Sequence, residues 1–273
     1  MTHSGADIAQ LLSAHGLRPS RALGQNFVAD PNTVRRIARL AGLGAGDRVL
    51  EIGAGLGSLT LALAETGARV VAVETDRHVV PVLRSVVEPA GVEVVEGDAL
   101  ALDLPALLAA HGGGAWSLVA NLPYNVATPL VMRTLTEVPT VTRILVMVQR
   151  EVGERMAAGV GDDGYGAVSV RVAYFARAEV VGRVPASVFI PRPRVESVLV
   201  RFVRREEPAV DPDVVSYQRL DAVVRAGFAH RRKMLRRALA GVVEPDAFAR
   251  AGVRPEARAE ELDVAAWGRL AAS

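Results

Sequence analysis

The chain has 273 residues, half of them apolar, with a formal net charge of +2 and no cysteine, which allows one large domain plus a small one. The lack of cysteine excludes disulfides, thiolate metal sites and a cysteine nucleophile, and His3, His15, His78, His111 and His230 are too scattered to offer metal-ligand spacing, so no metal is expected. No apolar run approaches the roughly 18 to 20 residues of a membrane span, and "MTHSGADIAQLLSAHG" lacks the basic start and apolar block of a signal peptide; the sequence predicts a cytoplasmic protein with no membrane association.

In chain order, "DPNTVRRIARLAGL" offers Asp30 as N-cap and Pro31 at the first helical position, predicting a helix that packs on a sheet. Short β-branched runs then alternate with helical patterns: "DRVLEIG" (47 to 53), "ARVVAVETD" (68 to 76), "VEVVEGDAL" (92 to 100), "SLVANLP" (117 to 123) and "RILVMVQRE" (143 to 151). That alternation predicts a mostly parallel sheet with crossover helices. Two further runs, "AEVVGRVPASVF" and "ESVLVRFVRR", are separated only by "IPRPRVE", too short for a helical crossover, and are expected to pair antiparallel at the sheet edge. Beyond "RREEPAVDPD" the β-branched runs stop, and three helices are expected, the first running from "VVSYQRLDAVVRAGFAH" into a basic stretch. The domain boundary is placed between 206 and 207.

That basic stretch, "RAGFAHRRKMLRRAL", gathers Arg231, Arg232, Lys233, Arg236 and Arg237 on one helical side. It reads either as a phosphate-binding surface or as a solvated face in an arginine-rich protein whose one lysine is Lys233. The sequence pI of about 9.4 reflects the high pKa of arginine more than any excess of charge.

"EIGAGLGSLT" follows the first strand of the sheet and opens a helix, so Gly53, Gly55 and Gly57 let the backbone turn tightly and approach a ligand. The spacing is G-x-G-x-G, not the G-x-G-x-x-G of a dinucleotide site, and no GK[ST] follows as a P-loop requires. The next strands end in Glu74, Asp98 and Asn121, which would project into the crevice at the carboxyl edge of a doubly wound sheet. Glu74 is placed to accept from both ribose hydroxyls of a nucleoside, and Asp98 to accept from an adenine amino group; each acid alone could be a helix cap or a solvated turn carboxylate.

"LGQNFVAD", "EIGAGLGSLT", "VETD", "EGDAL", "NLPYN", "QREVGERM", "YGAVSV" and "VFIPRPRVES" stand in the order found in the ribosomal RNA adenine N6-dimethyltransferases, which the chain resembles over nearly its whole length. The resemblance implies an α/β class I S-adenosylmethionine-dependent methyltransferase fold: a Rossmann-like, seven-stranded, mostly parallel sheet over 1–206, and a small helical RNA-recognition domain over 207–273. It places cofactor contacts on Asn26, Val28, Gly53, Gly55, Glu74, Asp98 and Asn121. Val28 stands where "QNFL" is usual and "VETD" where "IEID" is commoner; both changes preserve the type of contact.

Within that resemblance "NLPY" acquires a chemical role. The amino nitrogen of adenine is a poor nucleophile because its lone pair is delocalised into the ring. Two acceptors, the Asn121 side-chain oxygen and the Leu122 carbonyl, whose direction is fixed by Pro123, would take both N–H hydrogens and localise the lone pair. Tyr124 offers a stacking face for an extruded base, and Phe189 resembles the family aromatic that covers the other face. Arg192 and Arg194, each directly after a proline that keeps the loop extended, are candidate phosphate contacts, with surface solvation as the alternative.

The resemblance implies dimethylation of two adjacent adenosines in the 3′-terminal hairpin loop of small-subunit (16S) ribosomal RNA, acting as a monomer on a pre-30S particle. Two alternatives stand beside it: a large-subunit (23S) adenine methyltransferase conferring macrolide resistance, and a non-catalytic assembly or transcription factor. "GQNF" in place of "SQNF", and the C-terminal "FAHRRKMLRRAL" and "RPEARAEELDVAAWGRLA", favour the first reading.

Overall fold

A computed structural model describes residues 2–20, 22–123 and 125–273. Its elements open with α1 (Gly5–Ala14), the short strand β1 (Phe27–Val28) and α2 (Pro31–Ala41). Asp30 caps α2 as expected, its carboxylate accepting from the Asn32 and Thr33 amides. An alternating region follows: β2 (Arg48–Ile52), α3 (Ser58–Ala64), β3 (Arg69–Glu74), α4 (Val80–Val87), β4 (Glu93–Glu96), α5 (Leu104–Ala110), β5 (Trp116–Asn121), α6 (Ala127–Glu137) and β6 (Val141–Gln149). Then come α7 (Arg150–Ala157), α8 (Ala167–Phe175), β7 (Ala176–Val184), β8 (Phe189–Ile190) and β9 (Ser197–Arg204). The chain ends in α9 (Tyr217–Ala229), α10 (Leu235–Ala238), α11 (Ala247–Ala251) and α12 (Val264–Ala272).

Seven strands form one sheet in the order β4-β3-β2-β5-β6-β9-β7. The pairs β2–β3, β2–β5, β3–β4 and β5–β6 are parallel. Residues 70–74 of β3 and 116–120 of β5 are buried throughout, as expected for parallel strands covered on both faces. The order reverses between β2 and β5, and this switch point opens a crevice at the strands' carboxyl ends. The glycine turn after β2 and the turn entered at Asn121–Pro123 after β5 therefore face each other, because their strands are hydrogen-bonded neighbours.

A second sheet of two strands, absent from the sequence expectations, pairs β1 antiparallel with β8 and sets Val28 opposite Phe189. Of the two late runs, β9 lies between β6 and β7, leaving β7 at the edge.

The chain divides into two compact units, Met1–Gly153 with Val180–Phe202, and Glu154–Glu179 with Val203–Ser273. A single cut at 206 differs from this partition, because 154–179 joins the C-terminal helices. Tyr165, Val170 and Tyr174 share a buried cluster with Leu220, Val224, Trp267 and Leu270, and the Tyr165 hydroxyl donates to the Leu262 carbonyl at 2.7 Å. Motif order along the chain carries no sign of that return.

The basic stretch also departs from expectation. The helix α9 ends at Ala229, residues 230–234 form a turn in which the Lys233 amide donates to the His230 carbonyl, and α10 covers only Leu235–Ala238. The five cations thus do not share one helical side.

Candidate active site

The glycine turn is shaped by what covers it. Gly55 has φ +58°, and a Cβ there would lie 3.0 Å from the Phe27 ring, so glycine meets both the left-handed backbone and the close approach of the ring. The N-terminal helix reaches the same turn: Ile8, Phe27, Leu56, Val79 and Val82 form one buried cluster, and His3 Nε2 lies 3.1 Å from the Leu56 carbonyl.

Glu74 is 5% exposed at the end of β3. Its Oε2 accepts from the Gly55 amide at 2.8 Å, and its Oε1 from the Thr75 and Asp76 amides, both at 2.9 Å. Burial raises its pKa and the Asp76, Gly55 and Thr75 amides pull it back. A carboxylate has about four acceptor positions, so three backbone donors leave one on Oε2, fewer than the two expected for a ribose diol.

Asn121 ends β5 and its Nδ2 donates to the Asn26 carbonyl at 3.1 Å, while Asn26 Nδ2 donates to the Gly24 carbonyl at 3.0 Å. With its amide nitrogen engaged, Asn121 keeps Oδ1 as an acceptor. The Pro123 carbonyl takes the Val126 and Ala127 amides at the start of α6, whereas among the described residues no amide donates to the Leu122 carbonyl. Among the described residues, the two acceptors expected from sequence are thus left without donors.

One pocket is lined by Asn26, Val28, Gly53, Gly55, Glu74, Asn121, Leu122, Pro123 and Phe189. Asp98 is in the adjoining pocket, which shares Leu23, Gly53, Thr75 and Pro123 with the first. Asp98 lies two residues beyond β4 and is exposed; its Oδ1 accepts from the Leu100 amide. Phe189 is 5% exposed, paired with Val28 through the small sheet. Tyr124 lies outside the described residues. Arg192 and Arg194 are exposed in the loop after β8 and make no ion pair among the described residues.

Sequence reasoning passed over three buried polar residues in the first pocket. Glu51, 1% exposed, has an Oε2 without a hydrogen-bond partner, and burial pushes its carboxyl up to about 8, with Thr60 offsetting part of the rise and the Glu74 charge adding to it. The Ser58 hydroxyl is likewise buried and unpartnered, and Ser197 is buried at the start of β9. An acid directly before the glycine turn was the available signal for Glu51; nothing local marked Ser58 or Ser197.

In the second unit, Arg231 pairs with Glu260 at 2.6 Å and Arg236 with Glu256 at 3.3 Å. Arg232, Lys233 and Arg237 are exposed and carry no ion pair among the described residues. Among the described residues no cluster of His, Asp or Glu could hold a metal, and no helix is long and apolar enough to cross a membrane.

A parallel sheet with its crevice at the switch point, a glycine turn after β2 and a buried acid ending β3 define a class I methyltransferase fold. The amide-proline turn facing that crevice narrows the class further. Residues 17–273 match the family Ribosomal RNA adenine dimethylase, and the chain belongs to it. It is 47% identical over 285 residues to "Ribosomal RNA small subunit methyltransferase A" of Nocardia farcinica, covering 98% of this chain and 94% of that protein. The protein of that name from Cutibacterium acnes is 46% identical over 279 residues, covering 97% and 92%. Among solved structures, a dimethyladenosine transferase from Plasmodium falciparum superposes with a TM-score of 0.75 at 25% identity, over 88% of this chain and 94% of that one. The 23S rRNA methyltransferase ErmE superposes at 0.71 and 27% identity, over 90% and 98%.

Proposed function

We propose that this enzyme dimethylates the N6 amino groups of two adjacent adenosines in the 3′-terminal hairpin loop of small-subunit ribosomal RNA, with S-adenosylmethionine as methyl donor. The observation that carries this reading is the pair of acceptors, Asn121 Oδ1 and the Leu122 carbonyl, side by side in the chain, without donors among the described residues and lining one pocket. Two N–H hydrogens of one amino group match them. Accepting both draws the nitrogen toward tetrahedral geometry and exposes its lone pair, and the fixed acceptors need no reorganisation as charge develops.

The first pocket fits the proposed donor. Glu51 Oε2 and the Ser58 hydroxyl are buried polar atoms without partners, suited to the charged ends of a methionine moiety, and Glu74 retains an acceptor for a ribose hydroxyl. Asp98 in the adjoining pocket would take the adenine amine. The bound sulfonium supplies an activated methyl group. Phe189 and Tyr124 would hold the extruded base between aromatic faces, offsetting an unstacking cost of a few kcal/mol. No side chain is assigned as general base, because a methylated ammonium is acidic enough to release its proton to water.

Both a dimethyladenosine transferase and a 23S methyltransferase share the fold; the small-subunit reading is supported by the names of the relatives at 44–47% identity. Arg192, Arg194, Arg232, Lys233 and Arg237 would contact RNA phosphate, in a monomer acting on a pre-30S particle in the cytoplasm. Mass-spectrometric mapping of N6-dimethyladenosine on both ribosomal RNAs, with and without the gene, tests this reading. Two adjacent modifications lost from the small-subunit RNA are expected; a loss confined to the large-subunit RNA, or no loss, would reject it.

A further inference from the structure

The loop of residues 22–26 meets Asn121 and Pro123 by two independent routes, and both begin at Gly24. The first is packing. Gly24 has φ +62°, and a Cβ on it would stand 2.9 Å from Pro123 Cβ, 3.6 Å from Pro123 Cα and 3.8 Å from Asn125 Oδ1. The second is a hydrogen-bond relay: the Gly24 carbonyl accepts from Asn26 Nδ2, and the Asn26 carbonyl accepts from Asn121 Nδ2. One route ends on the residue next to the Leu122 carbonyl and the other on the Asn121 amide.

Neither partner of the packing contact can give way cheaply. Pro123 has a fixed φ, and its carbonyl is held by the Val126 and Ala127 amides at the start of α6. The loop is tethered on its far side: Gln25 Oε1 accepts from the Ser20 amide at 2.8 Å, and Gln25 Nε2 donates to Asp76 Oδ2 at 2.8 Å, two residues beyond Glu74. An added methyl group at 24 must therefore tilt the peptide before Pro123 or shift the loop that orients Asn121.

We propose that Gly24 is a positioning residue for methyl transfer, setting the relative direction of the Asn121 and Leu122 acceptors through its bare α-carbon against Pro123 and its carbonyl relay to Asn121. It touches neither the base nor the reacting nitrogen. The inference rests on the function proposed above for that acceptor pair.

The test compares wild type with Gly24→Ala, Gly24→Asn and Gly42→Ala. Gly42 has the same φ of +62°, at the C-cap of α2, with nothing within 4 Å of a Cβ, so it carries the backbone strain without the contact. Asparagine tolerates the left-handed region but keeps a Cβ. In single turnover with saturating S-adenosylmethionine and unmethylated small subunits, Gly24→Ala and Gly24→Asn are both expected to slow methyl transfer roughly tenfold to a hundredfold. Their cofactor Kd should stay within about threefold of wild type, and Gly42→Ala should melt lower yet react at the wild-type rate.

The Asn121 side-chain amide signals in NMR spectra of the free protein should move in Gly24→Ala and stay in Gly42→Ala. Recovery of the wild-type rate in Gly24→Asn, a loss lying wholly in cofactor Kd, or unmoved Asn121 signals would each overturn the proposal. The amide readout needs no RNA, so it decides the Gly24 role even if mapping assigns the methylation to another RNA.

Discussion

Glu51 and Glu74, two buried acids lining the same pocket, behave differently because of what surrounds them. Glu74 is met by three backbone amides, Glu51 by none. Removing Glu74 entirely would release all three amides, so Glu74→Gln, whose one oxygen can keep the Thr75 and Asp76 amides while only the Gly55 amide is released, is the cleaner variant. It keeps the volume, removes the charge and replaces one acceptor oxygen by a donor. Loss of a charge-assisted hydrogen bond is worth roughly 1.5 to 3 kcal/mol, so calorimetry is expected to show cofactor affinity weakened about tenfold or more. Unchanged affinity in a folded variant would remove the ribose assignment.

Glu51 makes a prediction about pH. Its carboxyl holds its proton to about 8 in the folded protein, against an ordinary value of 4.5. A folded pKa above the unfolded one means that the stability linked to this proton is whole below about 4.5 and is lost as pH rises through about 8. Glu51→Gln cannot ionise. It should therefore leave the melting temperature nearly unchanged at pH 5 and raise it at pH 8.5, by roughly 2 to 4 °C for each kcal/mol recovered in a chain of this size. Equal shifts at both pH values in the ligand-free protein would show that Glu51 is already ionised.

At the scale of elements, α9 and α12 make contact at a glycine. A Cβ on Gly227 would stand 2.4 Å from Trp267 Cη2, and Trp267 is fully buried. Alanine in a helix interior gains about 1 kcal/mol in propensity over glycine, while overpacking a fixed core costs about 1 to 3 kcal/mol. The second effect wins where the ring cannot retreat. Gly227→Ala is expected to lower thermal stability while leaving cofactor affinity unchanged; a variant as stable as wild type would mean that the indole can shift. The break between α9 and α10 belongs to the same scale. Apolar positions there suit one long helix, yet the Leu235 and Arg236 amides donate to the Ala257 and Pro255 carbonyls outside the helix, and tertiary partners override the local pattern.

Over the whole molecule, net charge says little about RNA because most cations have assigned neighbours. Arg231 and Arg236 are held by glutamates, whereas Arg232, Lys233 and Arg237 are free of ion pairs among the described residues. Replacing those three with glutamine should reduce the slope of log affinity for small subunits against log salt by about 2 to 3, at roughly 0.7 to 0.9 per phosphate contact. Replacing Arg231 and Arg236 should change it less, since each must first leave a carboxylate. A triple variant with the original slope would return this turn to the role of a solvated surface.

The sequence alone determined the parallel order of the first five strands of the large sheet, the capped helix before them, and the residues Gly53, Glu74, Asn121 and Leu122 at the strand ends. These are local consequences of side-chain period, turn chemistry and the rule that crossover strands end on one edge. Only the tertiary structure decided which of them are free to act. The Pro123 carbonyl is spent on α6 while that of Leu122, among the described residues, is not; Glu74 is three-quarters satisfied by backbone; Glu51 keeps a buried Oε2 without a partner; and β8 returns to β1 to bring Phe189 beside Val28. The same holds for the segment 154–175, which lies between β6 and β7 in the chain yet contributes Tyr165, Val170 and Tyr174 to the core of the second unit. Some of these partners are near in the chain, as the Val126 and Ala127 amides are to Pro123, but the Gly55 amide on Glu74 and Phe189 beside Val28 come from distant residues, and no local periodicity encodes them.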